Sequence, residues 1–381
     1  MKTFEDDLAR ATAPETRDML GAIGLVVNSR GNTLYHHASG LQSLAADAPP
    51  LHPDSAVALG SAGKFITHVA ALQQVERGAI GLDDPIERYL PELSSLPLIS
   101  RDAAGQPFQV RPPTNKITLR HLLLHTSGLS HPDDELVGEY LAGDSTRKPT
   151  VAEDAPLIVK IFSIPLIFEP GEGFCYGCSI HWTQLLVGRI AGGSGFTQYI
   201  QENIFDPLGM TSSTYTPRDK PDIWNRRLRM VEREGEKLLP ADDEAQGLMC
   251  SVSDVGRVLG DLISPSPKLL SEQKSIEILL TGQLQPSSAS LAQLRSDQDN
   301  YKFCAGPSVP SPPLVNWSAA GLVVEGGTLP LSGMPVGTVT WEGMPNVLWA
   351  ANRERGLAMF FATQLVRWPG FYFGHVLEPQ G

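Results

Sequence analysis

The positions of the strand-forming runs limit the folds open to this chain more than any other feature. Four apolar runs crowd one region: Gly321-Leu322-Val323-Val324, Gly337-Thr338-Val339-Thr340-Trp341, Asn346-Val347-Leu348-Trp349-Ala350 and Leu357-Ala358-Met359-Phe360-Phe361-Ala362. Turn-forming residues separate them at Gly326-Gly327, Glu342-Gly343 and Arg353-Glu354-Arg355-Gly356, as successive hairpins require. Two more runs, 22–27 and 33–38, flank the turn Ser29-Arg30-Gly31-Asn32. The residues between these groups carry mostly helical periodicity. Strands on both sides of a helical stretch predict one antiparallel sheet with a helical insertion. The expected class is α/β (α+β). A sheet domain would take residues 1–80 and 290–381, a mostly helical domain residues 81–289, and the active site the cleft between them.

Within that frame, residues 4–13 read as a helix stopped by Pro14, and 118–125 as a helix stopped by Thr126-Ser127-Gly128. Residues 96–115 read as loop and 131–150 as polar and irregular. Helices are expected over 196–208 and 247–262, the latter capped by Ser253. The Ser-, Pro- and Gln-rich stretch 283–316 reads as a surface excursion.

The segment Leu59-Gly60-Ser61-Ala62-Gly63-Lys64 leads into a run with apolar residues at helical spacing, Phe65, Ile66, Val69, Leu72 and Val75. Residues three apart on a helix share a face, so the Lys64 amine can lie beside the Ser61 hydroxyl. A serine becomes a useful nucleophile when a nearby base takes its proton, and a crowded or desolvated amine can be that base. Three other patterns compete for these residues. A phosphate loop needs Gly at position 58 and Ser or Thr at position 65, where Ala58 and Phe65 stand. The Gly-x-Ser-x-Gly elbow needs Gly where Leu59 stands. A plain helix cap with a solvated lysine fits the segment taken alone.

Composition narrows the classes. The 381 residues are 41% hydrophobic and 19% charged, an ordinary balance for a soluble enzyme. A net charge of -12 repels nucleic acid. The one basic cluster, Arg226-Arg227-Leu228-Arg229, runs into Glu232, Glu234 and Glu236 and reads as a solvated face. No apolar run approaches the ~18 residues of a membrane span, and the acidic stretch Met1-Lys2-Thr3-Phe4-Glu5-Asp6-Asp7 lacks the features of a signal peptide. Four cysteines (Cys175, Cys178, Cys250 and Cys304) make no disulfide framework. The expectation is a cytoplasmic protein without cofactor or metal. Cys175-Tyr176-Gly177-Cys178 lacks the partners of a zinc or redox site. Tyr176 follows a Pro-Gly turn and precedes a helix, so its phenol either faces a cleft or packs half-buried. His121 and His125 have metal-ligand spacing with no carboxylate between them, and with His68 and His181 they read as structural.

In combination these stretches resemble the serine β-lactamase and penicillin-binding-protein superfamily, in its class C-like branch with esterases and fungal lovastatin-type transesterases. The likeness rests on Ser61-x-x-Lys64, Tyr176, Gly81-Leu82-Asp83-Asp84-Pro85, Thr126-Ser127-Gly128-Leu129, Phe168-Glu169-Pro170-Gly171 and Pro207-Leu208-Gly209-Met210. It spans about residues 20 to 365. Two departures stand out: Cys178 occupies the place of the asparagine in Tyr-x-Asn, and Trp341-Glu342-Gly343 replaces Lys-Thr-Gly.

The resemblance implies acyl transfer through an acyl-enzyme, as an acyltransferase or esterase in secondary metabolism. Ser61 would attack an ester or thioester, Lys64 and Tyr176 would relay the proton as one titrating unit, and the backbone N–H groups of Ser61 and Met344 would hold the oxyanion. Trp341, Gly343, Cys178, Trp182 and Trp224 are the expected substrate contacts. Partners would be a small acyl donor, free or carrier-bound, and an alcohol, amine or water. Without the lysine of the third motif, β-lactam or D,D-peptide hydrolysis and non-catalytic ligand binding become the alternatives.

Overall fold

Hydrogen bonding joins the strand runs of both regions into one seven-stranded antiparallel sheet. In chain order its strands are β1 (Gly21–Asn28), β2 (Thr33–Gly40), β3 (Val315–Trp317), β4 (Leu322–Val324), β5 (Thr338–Gly343), β6 (Val347–Asn352) and β7 (Leu357–Ala362). Their order in space is β3-β4-β5-β6-β7-β1-β2, so β7 closes onto β1. The computed structural model describes residues 2–366 apart from 104–105, 145–146, 148, 193–194, 242–246, 297–314 and 330–331. Cys304 and part of the expected surface excursion lie outside the described residues.

Register lays a stripe of large side chains across one face of the sheet. Leu25 stands opposite Phe360, Phe360 opposite Trp349, and Trp349 opposite Trp341. None of the four is more than 5% exposed. Each such side chain taken from water stabilises the fold by roughly 1.5–3 kcal/mol, which is why the sequence places them at alternate positions.

Six helices matter here: α1 (Lys2–Thr12), α2 (Lys64–Glu76), α3 (Leu119–Leu123), α4 (Glu135–Ala142), α5 (Leu157–Phe162) and α6 (Ser179–Ile190). Residues 65–74 of α2 are buried without a break, the polar Thr67, His68, Gln73 and Gln74 among them, as expected of a helix enclosed by the core. Its Phe65 ring sits 5.0 Å from that of Trp349, so α2 lies on the stripe. On the other face α1 brings Phe4 edge-on to Tyr35 of β2.

Several expectations change. The stretch expected to be irregular contains α4, capped by Asp134, with Val137 and Tyr140 buried three apart on one face. Residues 98–100 and 109–111 pair as two short strands rather than a loop. Ser251, not Ser253, caps the Val252–Leu262 helix, accepting from the Asp254 N–H. That helix packs against β1 and β7, so part of the expected insertion covers the sheet itself. Arg227 is no solvated residue: it is 1% exposed, with its guanidinium 3.3 Å over the Trp224 ring. The excursion contributes β3 and the Ala289–Ser296 helix.

Candidate active site

The serine segment sits where a strand meets the central helix. The short Ala56–Ala58 strand leads into a single 3-10 turn over Gly60–Gly63, and α2 begins at Lys64. Gln364 fixes the approach by accepting from the Ala58 N–H and donating to its carbonyl, both at 2.9 Å. The Trp349 indole, reaching from β6, donates to the Ala62 carbonyl at 2.9 Å and pins the turn to the sheet. Ser61 caps nothing. The capping positions belong to Leu59 and Gly63, and neither makes a side-chain cap. The Ser61 hydroxyl is bonded instead to Lys64 Nζ at 3.0 Å.

Tyr176 reaches the same lysine from the loop before α6. Two backbone bonds latch this loop to the segment after α3: Cys175 N–H donates to the His125 carbonyl at 2.9 Å, and Cys178 N–H to the Ser130 carbonyl at 3.1 Å. Gly177 is what allows the approach, because a Cβ there would stand 2.2 Å from the Leu129 carbonyl oxygen. The phenol oxygen is then 2.8 Å from Lys64 Nζ and 2.8 Å from Trp341 Nε1. Rings of His125, Trp341 and Trp317 surround the Tyr176 ring, centre to centre at 4.5, 4.9 and 5.8 Å. Ser61, Lys64 and Tyr176 are each half-buried, which leaves them within reach of a small molecule.

The end of β5 forms the opposite wall. A Cβ on Gly343 would stand 2.0 Å from the Leu59 carbonyl oxygen, so only glycine lets β5 lie against the serine turn. Beyond it the Met344-Pro345-Asn346 turn returns the chain into β6, with Asn346 in the left-handed region at φ 53°. The Met344 nitrogen is 3.3 Å from where a Cβ of Gly60, the residue before Ser61, would lie. The structure therefore brings together Ser61, Lys64, Tyr176, Trp341, Gly343 and the Met344 backbone.

Other expected contacts fall elsewhere. Cys178 is fully buried, and burial pushes its thiol well up from the ordinary value. It packs in the core and cannot face a substrate as the asparagine it replaces would. Trp182 is also fully buried, its indole donating to the Phe162 carbonyl at 3.3 Å. The reason is helical phase: one residue earlier in α6, His181 stays half-buried and stacks on Phe162 at 4.2 Å. Trp224 belongs to a small cluster with Ala56, Ala58, Ile223 and Met249, held between Arg218 and Arg227. Trp341, expected as a pocket wall, is 5% exposed and turned toward Tyr176.

Three residues at the centre are not expected there from the sequence: Trp317, Trp349, and His125, which reads as structural. Trp317 lies just past the stretch read as a surface excursion, and its ring meets that of Trp341 edge-on at 4.6 Å. His125, 1% exposed at φ 56°, lies against the Tyr176 ring. A histidine followed by Thr-Ser-Gly was the available signal, because a non-glycine residue held left-handed often marks a functional turn.

Imidazoles cluster around this centre. Burial, with the Lys64 charge adding to it, lowers His68 and His181 to about 4 from the ordinary 6.5, and burial pushes His125 well below that value. An imidazole near 6.5 unfolded and about 4 folded is neutral in both states above that window. As pH falls through the window the unfolded chain takes up the proton first, so stability present above pH 6.5 is lost toward pH 4. Each such group contributes a slope of up to about 1.4 kcal/mol per pH unit. His68→Leu is expected to flatten the slope, which urea midpoints at about pH 7.5 and about pH 5 would show in parent and variant.

The same architecture occurs in known proteins. The beta-lactamase family model matches residues 9–374. Acyltransferase calJ of Penicillium decumbens is 31% identical over 96% of this chain and 93% of its own length. Monacolin J acid methylbutanoyltransferase of Aspergillus terreus is 31% identical over 93% of this chain and 89% of its own. The solved unliganded simvastatin synthase (LovD) from Aspergillus terreus superposes with a TM-score of 0.83 at 28% identity, covering 96% of this chain and 92% of that one. With the family model running through the serine turn, the tyrosine loop and every strand of the sheet, the chain belongs to the beta-lactamase family.

Proposed function

We propose that this enzyme moves an acyl group from a small ester or thioester to an alcohol, an amine or water by way of an ester on Ser61. Acyl transfer is also what its relatives carry out by name, and we place this chain's reaction, like theirs, on small molecules of secondary metabolism. One observation supports the residue assignment above all: Lys64 Nζ is within hydrogen-bond distance of both the Ser61 hydroxyl and the Tyr176 phenol. A nucleophile, an amine and a second titratable group in one hydrogen-bonded line is what activating a serine requires.

In the first half-reaction Ser61 Oγ forms a bond to the acyl carbon while its proton passes to the Lys64–Tyr176 pair. The carbonyl oxygen, now an oxyanion, takes hydrogen bonds from the backbone N–H groups of Ser61 and Met344. Two such donors are worth several kcal/mol, since one alone typically contributes roughly 2.7–4 kcal/mol. The bond to the leaving oxygen or sulfur then breaks, and that atom carries the proton away. In the second half-reaction the acceptor alcohol, amine or water repeats the steps on the Ser61 ester. The donor can be free or held on a carrier, and we place the reaction in the cytoplasm, in the cleft between the sheet unit and the helical unit.

A β-lactam or D,D-peptide offers a carboxylate that needs a cationic partner. Here the third-motif position carries Trp341, which is neutral, buried and bonded to Tyr176. The expected result is turnover of p-nitrophenyl butyrate with kcat/KM at least about a hundredfold above that for a chromogenic cephalosporin, because a site without the partner for a substrate's polar group discriminates by that order. A higher value on the cephalosporin would overturn the acyl-ester reading.

A further inference from the structure

Trp341 holds a position that wall-forming does not explain. It is buried, yet its indole N–H points at the oxygen of the one phenol in the cluster, at 2.8 Å. We propose that Trp341 is a catalytic residue whose indole N–H is the fixed second donor to the Tyr176 oxygen, stabilising the charge on that oxygen while the Ser61 proton is relayed. The proposal rests on the reading of Tyr176 as part of the relay.

A count of donors carries it. An indole nitrogen can only donate, and a protonated lysine amine can only donate. Two such groups aimed at one phenol oxygen occupy its lone pairs and favour the state in which that oxygen carries most negative charge. During acylation the Ser61 O–H bond breaks, the Oγ–acyl bond forms, the proton passes through the Lys64–Tyr176 pair, and the leaving atom finally receives it. Trp341 gives up no proton at any stage; its bond shortens and weakens as the phenol charge rises and falls.

The indole is held for this purpose. Trp341 stands opposite Trp349 in the β5–β6 ladder, and Trp317 packs edge-on against it at 4.6 Å and 85°. A donor fixed in a buried site acts without reorganising when charge appears. Nor does the cluster exist merely to satisfy buried indoles. Trp317 is 3% exposed, and its own ring nitrogen has no hydrogen-bond partner among the described residues.

Other titratable groups face the pair from each neighbouring element: His68 from α2, His125 and His131 from the segment after α3, and His181 from α6. Burial lowers all four imidazoles, so each is neutral near pH 7. Glu342, next to Trp341 on β5, points to the other face of the strand. The positive charge at the phenol is therefore that of Lys64, and the indole adds a neutral donor to it.

The test replaces the indole N–H by sulfur, with 3-benzothienylalanine at position 341, alongside Trp341→Phe and Tyr176→Phe in the full chain. On a p-nitrophenyl ester the sulfur isostere is expected to lose roughly ten- to a hundredfold in kcat, the range a charge-assisted hydrogen bond commands. KM should stay within about twofold and Tm unchanged, because shape and packing are kept. The acidic limb of kcat/KM against pH should move to higher pH, since a donor lost from the charged form disfavours that form. If the isostere keeps parental kcat and pH profile while Tyr176→Phe is inactive, the relay stands and Trp341 only packs. If Tyr176→Phe keeps its activity, the relay reading falls and this proposal with it.

Discussion

Ser61→Ala is expected to lower kcat for p-nitrophenyl ester turnover by roughly ten-thousandfold to a millionfold, the range seen when an acylating nucleophile is removed. The same change should leave the fold intact. Ser61 caps neither the 3-10 turn nor α2, and the hydrogen bond recorded for its side chain joins the half-buried Lys64. Stability should therefore stay within about 0.5 kcal/mol of the parent. A helix-capping serine would behave in the opposite way, losing about 1 kcal/mol of stability and little activity. Measuring kcat and the urea midpoint on one preparation separates the two roles.

Gly343→Ala should be the most damaging change of a residue without a side chain. The new Cβ would stand 2.0 Å from the Leu59 carbonyl oxygen, and both parties are backbone, so no flexible group can yield. Either the end of β5 or the serine turn must move by about 1 Å, and a shift of that size in a reacting geometry costs on the order of a hundredfold in rate. Overpacking should also lower stability by about 1–3 kcal/mol. Gly138, inside α4, is the matched control. An added Cβ there meets nothing within 4 Å. Gly138→Ala should leave the rate unchanged and gain up to about 1 kcal/mol from better helix propensity. Ester kinetics and thermal melts on both variants check the pair.

Much of this was legible in the chain because the signals were local. Alternation and turn residues gave β1, β2 and β4 to β7, and spacing alone put Lys64 beside Ser61. What stayed hidden depends on contacts far apart in sequence. The Tyr176–Trp341 bond joins residues 165 positions apart, and Trp349 reaches Ala62 across 287. β3 is only three residues long, too short to show alternation, so Trp317 could not be placed at the centre. Cys178, Trp182 and Trp224 are expected at the site on the resemblance alone. Helical phase and packing decided otherwise, taking Cys178 and Trp182 into the core. The polar stretch that became α4 shows the same limit: Val137 and Tyr140 fold it by packing, which its composition obscures.

The central claim is that Ser61 becomes acylated, and intact-protein mass spectrometry of the full chain mixed with a p-nitrophenyl ester or a short acyl thioester tests it most directly. The account predicts a parent protein heavier by the mass of one acyl group. Peptide mapping should place that mass on Ser61, and Ser61→Ala should remain unmodified under the same conditions. Turnover by a parent protein whose adduct sits on another residue, or an equal adduct on Ser61→Ala, would contradict it.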